Sequence, residues 1–182
     1  MKRSQNGAIM IGTGEMRAGV FVQHGGSFEF LSVNTRQLLR RVDSTPQTYR
    51  GTAGWLMGPH YLSLTGAKVS GQICPGTLRI GKIVHNMGTP EAREKEYSRH
   101  DWLPRTGLQV TRDEPNLVEL SYTAQPAPNG WYNWRAAVTV RYSIEAQSLL
   151  GQFVVLNTGP LPFPGAFGEH LFFRGSLRAF PH

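Results

Sequence analysis

The chain has 182 residues, long enough for one domain with a sizeable core and short for two. Hydrophobic residues make up 40% and charged residues 17%, which excludes a disordered acidic tail and a coiled coil, while 21 glycines and 12 prolines favour short strands and tight turns over long helices. The formal net charge of +7 invites a nucleic-acid partner, but the densest basic groups (Arg36, Arg40 and Arg41; Arg93, Lys95 and Arg99) form no long run, so solvated surface charge is the simpler reading and nucleic acid is not the expected partner.

In chain order, the first expected strands run from Gly19 to Gln23 and from Ser27 to Val33. They flank His24-Gly25-Gly26, whose glycines can supply the positive φ of a hairpin turn. Further strands are expected at Lys68 to Ile73 and Leu78 to Val84. Thr89-Pro90-Glu91 offers a cap, a proline in the first turn and an acid near the positive end of the dipole, with Glu91 and Lys95 one turn apart. That predicts one short, polar surface helix.

Beyond it, Leu117 to Ala124 alternates, with Val118, Leu120, Tyr122 and Ala124 on one face and Glu119, Ser121 and Thr123 on the other. A loop from Gln125 to Gly130 contains two prolines that a central ladder would not accept. Alternation returns in Val138 to Ile144, with Val138, Val140, Tyr142 and Ile144 inward and Thr139, Arg141 and Ser143 outward. Leu149 to Leu156 is apolar on both faces apart from Gln152, so it is expected to be a strand covered on both sides, broken by Asn157-Thr158-Gly159-Pro160. The pattern predicts an all-β, antiparallel sandwich with at most one short helix, in a single domain over 1–182.

Cys74 is the one cysteine, so no intrachain disulfide can form and no cysteine pair is present to bind a metal; Cys74 is most simply a small packed residue. The apolar run Ala8 to Ile11 is too short for a signal-peptide core, and no stretch has the length of a membrane span. The expectation is a cytoplasmic protein without a membrane partner.

Six histidines make imidazole the natural place for proton chemistry near neutral pH. No histidine pair has metalloprotease spacing, and there is no G-x-G-x-x-G, phosphate-binding loop or G-x-S-x-G elbow. His170 stands out. It follows the Pro- and Gly-rich stretch Pro162 to Gly168 at the start of a strand on which His170 and Phe172 share one face, and Glu169 and Leu171 the other. An imidazole beside an aromatic ring could hold a sugar and exchange protons with its oxygens. It could equally be a hydrogen-bonded structural histidine, and spacing leaves both open. Trp131, Trp134 and Trp102 could stack on a sugar, although aromatics on strands more often pack a core or a rim.

Taken together, Gly130-Trp131, Val138 to Tyr142, Phe153 to Gly159, Pro162-Phe163 and Gly168-Glu169-His170-Leu171-Phe172-Phe173 resemble, in order and spacing, the core of the aldose 1-epimerase (galactose mutarotase) family. Upstream, Gly25 to Leu31, Tyr49-Arg50-Gly51 with Gly58-Pro59, and Val84-His85-Asn86 are weaker likenesses. The resemblance implies a galactose mutarotase-like β-sandwich, a partial supersandwich, acting on or binding a free aldose such as glucose or galactose without a cofactor or metal. It implies His170 as the general acid on the ring oxygen and His85 as the second histidine; Trp131 and Phe172 are the aromatic residues expected to contact substrate.

The chain departs from the family where Leu62-Ser63 stand in place of an Asn-Arg pair and where Asn86 stands for a glycine. It also ends at His182, ahead of the family's catalytic glutamate. The expectation is therefore a domain truncated at its C-terminus, either an isomerase or a non-catalytic carbohydrate-binding sandwich. Open sheet edges left by a truncation would favour self-association.

Overall fold

The structure is a computed structural model, and it describes residues 2–12, 14–40, 42–57, 67–69, 72–74, 77–80, 82–86, 103, 106–125, 135–160, 162 and 167–174. Among these, regular structure is almost entirely strand. The strands β1 (Ile9–Ile11), β2 (Met16–Phe21), β3 (Ser27–Val33), β4 (Arg36–Gln37) and β5 (Gly54–Met57) join β14 (Gly168–Leu171) in one sheet of order β1-β2-β3-β5-β14, with β4 added to β3. A second sheet runs β10 (Gln109–Glu114), β11 (Leu117–Ala124), β12 (Ala136–Glu145) and β13 (Ser148–Asn157) in simple up-and-down order. All the pairings are antiparallel.

The two sheets pack face to face. Ile9, Val20 and Phe28 from the first sheet and Val118, Leu120, Val138, Val140 and Tyr142 from the second form one core. Phe28 and Tyr142 meet across it with ring centroids 4.6 Å apart. The sequence pattern explains this directly: in β12 the buried residues Ala136, Val138, Val140, Tyr142 and Ile144 alternate along the strand, placing one apolar face on the opposite sheet. Ser143, expected on the outer face, is also buried, because it lies at the end of the strand where Leu117 and Leu150 pair beside it. The β2–β3 connection uses a 3-10 turn at Val22–His24, then Gly25 and Gly26 at φ 64° and 77°. A side chain at Gly26 would crowd Leu120 and Val140 of the opposite sheet, so glycine serves both the turn and the packing.

Three further expectations are corrected. The run Lys68 to Ile73 is not one strand but parts of a hairpin, β6 (Ala67–Val69) with β7 (Gln72–Cys74). Likewise Leu78 to Val84 divides into β8 (Thr77–Ile80) and β9 (Ile83–Asn86). Each run carries a glycine, Gly71 or Gly81, which favours reversal over continuation. The third concerns β13. Among the described residues it is not covered on both faces: it is the last strand of its sheet, and Leu150, Val154 and Leu156 are exposed while Leu149, Phe153 and Val155 pack on the core. Apolar composition alone does not reveal whether a strand has a neighbour. The expected helix near Thr89 and the aromatic residues Trp102, Trp131 and Trp134 lie outside the described residues.

Candidate functional site

The local geometry around His170 is set by the pairing of β5 with β14. In that ladder Trp55 is opposite His170 and Leu56 is opposite Glu169. Side chains alternate across a strand, and Leu56 belongs to the inter-sheet core, so Leu56 and Glu169 face inward while Trp55 and His170 face out. The two strands approach closely at Gly54, where a Cβ would come within 2.7 Å of Leu171 Cδ2 and 3.0 Å of the His170 carbonyl oxygen. Glycine is needed there for the ladder to close.

On the outer face the rings form a cluster. His170 meets Trp55 edge-on at 5.1 Å between centroids and Phe172 edge-on at 4.6 Å; Trp55 and Phe172 are 4.9 Å apart. Tyr49, buried in the 3-10 turn Tyr49–Gly51, braces Trp55 from behind at 5.2 Å. Phe172 is clamped from its other side by Arg40, whose guanidinium carbon lies 4.5 Å from the ring centroid. Arg40 is itself held in place: Nε donates to the Thr52 carbonyl at 2.7 Å and Nη2 to the Arg50 carbonyl at 2.6 Å. Trp55 is buried at 5% exposure whereas His170 is exposed, so the imidazole is the accessible polar tip of a rigid aromatic floor.

On the inner face a different pair forms. The Tyr142 hydroxyl donates to Glu169 Oε1 at 3.2 Å. Together they line a cavity of about 220 Å³ whose apolar walls include Leu56, Val140, Phe153 and Phe167. The Glu169 side chain keeps a solvent-facing edge, yet the protein around it removes enough water to raise its pKa above the ordinary value of 4.5, an effect the Tyr142 hydrogen bond partly offsets. Burial, then the nearby Glu169 charge and the hydrogen bond, push the Tyr142 phenol well above its usual range.

Of the residues singled out from sequence, His170 and Phe172 are brought together in direct ring contact. His85 lies in β9, its backbone opposite Leu78, and its side chain is outside the described set. Trp131 is outside it as well, as are Leu62 and Ser63. Sequence reasoning missed Trp55, Tyr49 and Arg40 as neighbours of His170. They lie more than a hundred residues upstream; the β5–β14 register brings Trp55 beside His170, and the Arg40 amide donating to the Phe172 carbonyl at 2.7 Å brings in Arg40. Among the described residues no group of three or more His, Cys, Asp or Glu side chains could hold a metal ion, and no helix is long and apolar enough to cross a membrane.

No family model matches the chain, and neither does any curated protein. Solved structures do match it. A protein of Escherichia coli K12 assigned as an aldose 1-epimerase superposes with a TM-score of 0.73 at 18% identity, over 93% of this chain and 52% of the other. A galactose mutarotase-like protein of Lactobacillus casei ATCC 334 gives 0.69 at 18% identity, over 95% and 52%. The fold is that of the galactose mutarotase-like proteins. An aldose epimerase homologue of C. elegans shares it at 0.64 and 15% identity, over 92% and 50%. The chain spans about half the length of these mutarotase-like neighbours.

Proposed function

We propose that this mutarotase-like domain takes free aldoses of the glucose or galactose kind on the ring cluster around His170 and promotes interconversion of their anomers. The observation that carries the reading is the exposed imidazole of His170 set against Trp55 and Phe172 in this fold. Aromatic rings complement the apolar C–H face of a pyranose, and imidazole is the side chain suited to proton exchange near neutral pH. In this reading His170 protonates the ring oxygen while a base removes the proton of the C1 hydroxyl. The bond between C1 and the ring oxygen breaks, the aldehyde rotates, and reclosure from the other side gives the other anomer. His85 acts as the second histidine near the ring oxygen, Phe172 and Trp131 contact the sugar, and no cofactor takes part.

One observation favours a second reading, sugar binding without turnover. Glu169, the acid next to His170 in sequence, faces the inner cavity and so cannot serve as the base for a sugar on the His170 face. Following the α/β equilibration of glucose and galactose by polarimetry distinguishes the two. Acceleration that His170→Ala abolishes supports the enzyme. Saturable binding with no acceleration supports the binding domain. Neither acceleration nor binding in folded protein overturns both.

A further inference from the structure

The edge of the second sheet carries an inference independent of the sugar site. The strand β13 spans ten residues, Ser148–Asn157, without a charge, a proline or a register shift. Natural edge strands are usually blunted by one of these devices, because their free N–H and C=O groups template further pairing. The direction of those groups follows from the β12–β13 hairpin. Its two-residue turn, Ala146-Gln147, has Ala146 at φ 53°, and Glu145 and Ser148 form the closing pair. Alternation then makes Leu150, Gln152, Val154 and Leu156 bond back to β12. The donation from the Thr158 amide to the Arg135 carbonyl at 3.1 Å continues the same parity one step beyond the strand. Leu149, Gly151, Phe153 and Val155 consequently turn their backbone groups to an edge that no strand covers among the described residues.

We infer that this edge pairs with β13 of a second copy of the chain, antiparallel about a two-fold axis through Gln152. The strand is self-complementary about that point. Leu149 falls opposite Val155 of the other copy and Gly151 opposite Phe153; these are the residues whose backbone groups have no ladder partner among the described residues, so the new ladder gains both hydrogen bonds of each pair. On the outer face Leu150 falls opposite Val154 of the other copy, bringing together side chains that are 47% and 46% exposed in the single chain. The absence of a side chain at Gly151 leaves space beside the opposing Phe153. No like charges meet within the strand, which is the usual barrier to such pairing. The two four-stranded sheets become one of eight. The interface is a strand edge with one apolar face, smaller than the ~1,600 Å² typical of stable complexes, so the dimer is concentration-dependent.

Sedimentation velocity across micromolar to submillimolar concentrations should show a monomer–dimer equilibrium. Leu150→Lys with Val154→Lys, both on the exposed face, should weaken it at least tenfold without unfolding the chain. The register is tested by crosslinking in a Cys74→Ser background. Gln152→Cys should form an intermolecular disulfide readily, because the two copies of that position face each other across the axis, whereas Leu156→Cys should not. A monomer at every concentration, open-ended polymers, or equal crosslinking at both positions would overturn the inference.

Discussion

Replacing Tyr142 with phenylalanine isolates the inner hydrogen bond from the packing around it. Tyr142 is 2% exposed, and its ring fills the space beside Phe28 whether or not it carries a hydroxyl, so Tyr142→Phe opens no cavity. What is lost is one donation at 3.2 Å to Glu169. Because Glu169 keeps a solvent-facing edge, its carboxyl is not stranded, and the cost should be that of a single net hydrogen bond, about 0.5–1.5 kcal/mol.

The same substitution has a pH signature. Burial raises the folded-state pKa of Glu169 above 4.5, so the stability tied to its protonated form is full below that value and is lost as pH rises through the folded pKa. The Tyr142 hydrogen bond lowers that pKa. Removing the hydroxyl should therefore raise it further and move the loss of stability to higher pH. Urea denaturation at a series of pH values from 4 upward reads both effects, as a midpoint shift at unchanged slope. A loss above about 3 kcal/mol, or a pH dependence identical to that of the parent chain, would refute the assignment of a buried Tyr142 hydroxyl donating to a solvent-facing Glu169.

Two further expectations concern the core and the bulge. Phe28→Ala removes a fully buried ring at the contact between sheets and should cost about 3–5 kcal/mol in chemical denaturation, and a loss below about 1 kcal/mol would mean the sheets do not pack there. Gly19→Ala places a Cβ 2.8 Å from the Phe30 ring and 2.9 Å from Glu29 Oε2, beside the register shift between β2 and β3. It should destabilise by about 1–3 kcal/mol, and an unchanged melting temperature would contradict the close approach.

Much of the fold was legible from period-two alternation. Val118 to Ala124 and Val138 to Ile144 could be placed as half-buried strands because one face of each is apolar and the other polar, and the β3 boundaries follow from the glycines before it. The polar strand β10 carries no such signal: Val110 packs on the core, but Gln109 to Glu114 is otherwise held by its hairpin with β11 rather than by an alternating apolar face. β13 misled for the opposite reason, since its apolar residues imply cover that the described chain does not supply. At the site, His170 and Phe172 were visible because they are two residues apart, His170 on β14 and Phe172 just past its end. Trp55 and Arg40 were not, because their proximity depends on long-range register and on the hydrogen bonds that hold Arg40 across Phe172.

The central claim is that a sugar lies on the outer ring cluster of β5 and β14. Its most direct test is an NMR titration with D-glucose and D-galactose that follows the backbone amides together with the His170 imidazole and the Trp55 indole. Saturable shifts centred on Trp55, His170 and Phe172, and lost in Trp55→Ala while the fold is retained, are the expected result. Shifts confined to other surfaces, or none at high sugar concentration in folded protein, would contradict it.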